Sequence, residues 1–288
     1  MSGIVRKYPA LSLLVLAMIL GVAPLAAVAA GLLPPSANQL GALSAGLAGI
    51  ILAAVEGRKH GVRELLGRVL IWRVGLQWWA FVLLFPIIPA VGSLYLFQLV
   101  GGPAVDWSGL PPLYSVVPLM IILIILAGVG EEFGWRGFAL PRLQARYNAL
   151  VSSLIVGLIW GLWHIPLFFI EGTTQYEWYL NAGLILPILA YTAFTMAWSI
   201  QFTWVFNHAK GSVLLAAVQH GATNTWNGYI DVYRDNFGGI LVYTAVSIIA
   251  SSVIVLMAGP TNFSRTHRRN IVAAEDTEPL GGRQVMPA

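Results

Sequence analysis

The sequence predicts an all-α polytopic membrane bundle of about eight transmembrane helices, and two observations carry that reading. Hydrophobic residues make up 58% of the 288 residues and charged residues 10%, with a mean hydropathy of +0.76, whereas charged residues are about a quarter of a water-soluble domain. The apolar residues fall into eight runs, each close to the roughly 20 residues of helix that a bilayer requires. Cysteine is absent, which excludes disulfides, thiol nucleophiles and thiolate zinc sites and leaves His, Asp and Glu for polar chemistry. The net charge of +4 is spread between the apolar runs without an aromatic-interleaved basic patch. Membrane lipids are therefore expected partners and nucleic acid is not.

The first run, Ala10–Leu33, follows Arg6 and Lys7 and contains Ala27, Val28 and Ala29, a signal-peptidase-like triplet. It exceeds the roughly 7–15 residues of a signal core, so a retained helix kinked at Pro24 is expected. The second, Ala37–Val55, carries Gly41, Ala45 and Gly49 at i, i+4 spacing, a packing face for another helix. A basic loop (Arg58, Lys59, Arg63, Arg68, Arg73) leads to the third, Val74–Val100, broken by Pro86 and Pro89 and opened by Trp72, Trp78 and Trp79, an interfacial aromatic belt. The loop Gly101–Pro112 follows, and the fourth run starts at Leu113.

That fourth run ends in Gly130–Phe138, the sequence GEEFGWRGF, where Glu131, Glu132 and Arg136 interrupt an uncharged stretch. An ionisable group at membrane depth costs about 2.5 kcal/mol or more and marks a functional site unless it sits at a helix end in the headgroup region. On a helix, Glu132 and Arg136 stand at i, i+4 and can pair, while Glu131 is turned about 100° away and left free. Phe138–Tyr147, with Arg142 and Arg146, is amphipathic and expected to be an interfacial turn. The fifth run, Asn148–Ile170, has a GxxxG face at Gly157 and Gly161 and one ionisable residue, His164. The sixth is Trp178–Phe206, the seventh Gly211–Ile230 and the eighth Phe237–Ala258.

On the seventh, Ser212, Ala216, His220, Asn224 and Gly228 form one stripe at i, i+4 spacing that should face the bundle interior. His60, His208 and His267 fall in loops or tail and read as solvated bystanders. No internal repeat or domain boundary is visible. Residues 1–261 read as one transmembrane domain, with the polar motifs confined to 113–230, and 262–288 as a polar, disordered tail. Of the 16 Lys and Arg residues only Arg234 falls on the side opposite the N-terminus, so both termini are expected in the cytoplasm.

Taken together, Glu131, Glu132 and Arg136 (E-E-x-x-x-R), Trp160 and His164 (aromatic-x-x-x-His), and His220 and Asn224 (H-x-x-x-N) resemble the CPBP or Abi family of intramembrane proteases, related to the type II CAAX prenyl endopeptidases. The family more often has Phe at the position of Trp160, which is expected to pack beside the histidine. The resemblance implies an intramembrane endopeptidase acting on a membrane-associated or prenylated-type peptide or protein substrate. It implies that Glu131 and His164 hold and activate a water, that His220 and Asn224 donate to the oxyanion, and that Glu132 and Arg136 support them. An oxyanion donor in a dry site is worth about 3 kcal/mol.

Zinc is the alternative chemistry, since Glu131, His164 and His220 with an open fourth position also describe a catalytic zinc site. Asn224 and Arg136 suit oxyanion and carboxylate support better than ligation, so a cofactor-free site is the favoured reading. A non-catalytic membrane scaffold or bacteriocin-immunity protein is the reading of another class, and a small transporter is disfavoured by the missing repeat. The four residues are expected on one water-accessible cavity. His164 would lie about 24 Å into its span at 1.5 Å per residue, so either the fifth helix starts outside the bilayer or the fourth continues past Arg136.

Overall fold

A computed structural model describes residues 2–230 and 237–263. Asp231, Arg234 and Asp235 of the last expected loop, His267, and the expected tail from residue 264 onward lie outside the described residues. Within them the chain is helical with no strand. The helices are α1 (Ser2–Lys7), α2 (Pro9–Ala29), α3 (Leu43–Gly67), α4 (Leu76–Leu84), α5 (Ile87–Leu99), a long helical run α6 (Leu113–Gln144), α7 (Ala149–Trp163), α8 (Thr174–Ala182), α9 (Ile185–His208), α10 (Val213–Ile230) and α11 (Phe237–Ala258).

Seven helical segments among the described residues are long and apolar enough to cross a membrane. The seventh expected span is not one of these seven and forms as α10, whose polar residues turn inward: Gln219, His220, Thr223, Thr225 and Asn227 are all buried, as is Ser212 just before it. Gly228 departs from the expected stripe and is exposed.

Four segments differ from expectation. The basic stretch after Val55 continues α3, because Glu, Lys, Arg and Leu are good helix formers, and it changes direction at Arg58, whose backbone has φ 50°. The third run divides at Pro86 as expected, while Pro89 sits in the first turn of α5, where its missing N–H costs nothing. The expected turn at 138–147 is the last part of α6, which runs on to Gln144 through two π-helical segments, Ile124–Val129 and Phe133–Ala139. The sixth run is cut at Gly183 (φ 73°) into α8 and α9, with Thr173 capping α8 through its hydroxyl to the Tyr176 N–H at 3.1 Å. At the start of α7, Asn148 accepts the Val151 N–H at 2.8 Å.

Glycine contacts bring the charged half of α6 into the centre. A methyl group on Gly49 would lie 2.8 Å from the Phe133 carbonyl and 2.9 Å from the Gly134 Cα, and one on Gly134 would overlap the Ala45 carbonyl. The α3 small-residue face therefore docks on α6, with Gly46 replacing Gly41 as its third member. Across the bundle a methyl on Gly157 would meet the Thr195 carbonyl at 2.8 Å, and one on Gly161 the Thr192 Cα at 2.9 Å, which seats α7 on α9.

Candidate active site

The π-helical segments flanking Gly130–Glu132 widen α6 where its carboxylates stand, and π-turns recur at functional positions. Glu131, Glu132, Arg136, His164 and His220 are all buried. Glu132 Oε1 accepts from Arg136 Nη1 at 3.0 Å, the expected i, i+4 pair, and the same oxygen lies 2.9 Å from His220 Nδ1. The second contact ties α6 to α10 and could not be read from the sequence. The Arg136 guanidinium carbon sits 4.9 Å from the Trp160 ring centre and 4.5 Å from that of Phe202, so aromatic faces replace water around the buried cation.

Glu131 is not as free as its position on the helix implied. Its Oε2 accepts two indole N–H groups, Trp160 at 2.7 Å and Trp135 at 3.1 Å. Its Oε1 faces His220 Nε2 at 3.9 Å, a gap one bridging water can span. Trp160 is thus a direct hydrogen-bond donor to Glu131, beyond the expected packing beside His164, whose ring centre is 6.2 Å away. Trp135 lies i+4 from Glu131, the same spacing that identified the Glu132–Arg136 pair, so that signal was present in the sequence and overlooked.

The hydrogen bonds also fix the histidine protons. His164 Nδ1 lies 2.8 Å from the Trp160 carbonyl, which can only accept, so Nδ1 carries the proton. His220 Nδ1 faces the Glu132 carboxylate and carries one as well. In the neutral rings both Nε2 atoms are then acceptors. Glu131, His164, His220 and Asn224 all line one cavity of about 730 Å³, together with Trp160. Apolar residues of α2, among them Met18, Ile19 and Val22, form its far wall with Phe169.

Residues 113–226 match the family model of the type II CAAX prenyl endopeptidase Rce1-like proteins. A CAAX prenyl protease 2 from Methanococcus maripaludis is 32% identical over 177 residues, which cover 59% of this chain and 58% of that relative. Over this segment the chain is similar to the Rce1-like proteins. The chain spans 58% of the curated relative's length. The matched segment contains Glu131, Glu132, Arg136, His164, His220 and Asn224, whereas α1 to α5 and α11 lie outside it.

Zinc was the alternative expected at this site. Among the described residues no three His, Asp or Glu side chains are gathered as a metal ion would need. The committed atoms are Glu131 Oε2 and both Nδ1 atoms, so Glu131 Oε1 and both Nε2 atoms are of the right type for zinc, and it is the spacing of the side chains that does not match. The arrangement as it stands does not fit the expected zinc set of Glu131, His164 and His220. His208, expected to be solvated, instead ends α9 against the Trp78 ring at 4.8 Å, with Nδ1 on the Trp204 carbonyl.

Proposed function

We propose that this chain is an intramembrane endopeptidase in which Glu131 activates a water to hydrolyse a peptide bond of a membrane-associated substrate. The observation that carries the reading is the division of labour between the two oxygens of Glu131. Indole donors hold Oε2, and Oε1 is left facing the cavity and His220 Nε2. In the reaction, a water held between Glu131 Oε1 and the neutral His164 Nε2 gives its proton to Glu131 as its oxygen attacks the scissile carbonyl. The carbonyl oxygen becomes an oxyanion, accepts from the Asn224 amide, and accepts from His220 Nε2 when that ring carries both protons. Glu132 faces the charged ring from its other side. Glu131 then returns the proton to the leaving nitrogen as the carbon–nitrogen bond breaks.

The apolar cavity wall on α2 suits a substrate presented from the lipid. The name of the Methanococcus relative, a CAAX prenyl protease, supports a lipid-linked peptide as the first substrate class to assay. The test is cleavage of a prenylated and a non-prenylated peptide library by the purified chain, comparing wild type with Glu131→Gln and with chelator-treated protein. Cleavage lost in Glu131→Gln and kept under chelation supports the reading. Activity that vanishes with a zinc chelator and returns only with metal overturns the water-activation role of Glu131, and no cleavage of any peptide by wild type favours the scaffold reading.

We also propose that both termini are cytoplasmic, supported by the loop distribution of Lys and Arg. Reporter fusions at Gly75 and at Gly172 should mark opposite sides of the membrane, and reporters on the same side would refute this.

A further inference from the structure

Far from the cavity, α3 makes a corner. Its first part is apolar up to Val55, and at Arg58 the backbone adopts φ 50° and ψ −136°. The chain there folds back so closely that a methyl group on Gly61 would lie 2.5 Å from the Ala53 carbonyl. A non-glycine residue in the left-handed region is strained by about 1–3 kcal/mol and persists only where its surroundings demand it. Beyond the corner, Val62, Leu65, Leu66, Val69 and Leu70 recur at i, i+3, i+4, i+7 and i+8, an amphipathic stripe. Leu65 is buried in the bundle, while Leu66 and Leu70 stay exposed. The exposed Trp72, under the Arg73 guanidinium at 5.1 Å, follows directly, as at a membrane–water boundary.

The charges at this corner are selectively balanced. Glu64 pairs with Arg68 at 2.8 Å and Glu56 with Arg142 at 2.6 Å. Among the described residues no carboxylate pairs with Arg58, Lys59 or Arg63, and all three are exposed. They rim an open groove of about 970 Å³ whose floor includes Val62, Leu66 and Leu70. Three unbalanced cations above an apolar floor, at the corner that ends the apolar part of α3, complement one kind of occupant. It must carry a negative headgroup and aliphatic chains.

We propose that the α3 corner is a binding site for an anionic phospholipid, whose phosphate sits among Arg58, Lys59 and Arg63 and whose acyl chains lie along Val62, Leu66 and Leu70. Each basic residue near a membrane surface contributes about fivefold in affinity for anionic lipid. The site lies outside the residues that the endopeptidase reading uses, so it stands or falls independently of that reading.

The experiment is native mass spectrometry of the full-length protein in detergent, titrated with phosphatidylglycerol and with phosphatidylcholine of the same acyl chains. Wild type should retain phosphatidylglycerol at least tenfold more strongly. The Arg58→Gln, Lys59→Gln, Arg63→Gln triple variant should lose that preference, and Arg58→Lys with Arg63→Lys should keep most of it, which separates charge from misfolding. Leu66→Asn with Leu70→Asn should weaken phosphatidylglycerol with the cations intact. Equal retention of the two lipids by wild type, an unchanged preference in the triple variant, or displacement by millimolar inorganic phosphate as effective as by lipid would each overturn the proposal.

Discussion

The two halves of α6 belong to one continuous helix and have opposite surroundings. In the first half Val117, Ile121, Ile122 and Ile125 are more than half exposed, although every one of them is strongly apolar. In the second half every residue from 130 to 141 is buried, although Glu131, Glu132 and Arg136 lie among them. In water the sorting would be reversed. In a bilayer an isoleucine gains little by leaving lipid for protein, whereas a carboxylate must find donors that lipid cannot supply. Burial in this molecule therefore follows the demand for polar partners, and the comparison predicts where substitutions will be felt.

The largest effect on turnover should come from Glu131→Gln. The amide preserves size and can still accept from the Trp135 and Trp160 indoles, but it cannot take the proton of a water. A loss of about 10²–10⁴ in kcat is expected with unfolding temperature in detergent unchanged. A variant that cleaves as fast as wild type would mean the charged half is buried for structural reasons alone. Glu132→Gln should act on stability as well, by about 3–5 kcal/mol, because it leaves Arg136 as an uncompensated buried cation. Thermal unfolding checks this, and adding Arg136→Leu should recover part of the loss, since removing both partners of a buried pair is often nearly neutral.

Asn224→Ala should slow kcat by about a hundredfold with little change in KM, the pattern left by a contact made mainly in the transition state. A rise in KM with kcat intact would move Asn224 from oxyanion donor to substrate binder. Trp160→Phe should be milder. It removes one of two donors from Glu131 Oε2 while keeping the ring against Arg136, and about a tenfold fall in kcat is expected. If Trp160→Phe has no effect while Trp135→Phe does, the grip on Oε2 comes from within α6 alone.

How much of this was legible beforehand differs between the same two halves. The lipid-facing half is recognisable from composition alone, and so were the pairing of Glu132 with Arg136, the Ala45 and Gly49 part of the α3 packing face and the Gly157–Gly161 face, because each depends on spacing along one helix. The contact of Glu132 with His220 and that of Trp160 with Glu131 join residues 88 and 29 positions apart, and periodicity carries no information about which helices meet. The end of α6 was misplaced for a related reason. Arg142 and Arg146 look like surface charges, yet Arg142 is engaged by Glu56 of α3, a partner that lets the helix run on to Gln144, while the exposed Arg146 donates to the backbone carbonyls of Arg6 and Lys7.

The smallest effect should fall on the lipid-facing half, and it is the sharpest control on the whole comparison. Ile125→Ala removes a large apolar side chain that the folded protein exposes. Under the rules of an aqueous surface or a packed core such a change alters the transfer free energy between two media. Here the side chain is in lipid both before and after the helices associate, so the change in unfolding free energy should be under about 0.5 kcal/mol. Three residues further on, Gly128→Ala adds only a methyl group, but it would overlap the Ala217 carbonyl and approach its Cα to 3.1 Å where α10 crosses α6. Overpacking there should cost about 1–3 kcal/mol and pull His220 away from Glu132, lowering kcat along with unfolding temperature. Comparable costs for the two substitutions would show that the first half of α6 is covered by protein in the membrane, and that its exposure is not to lipid.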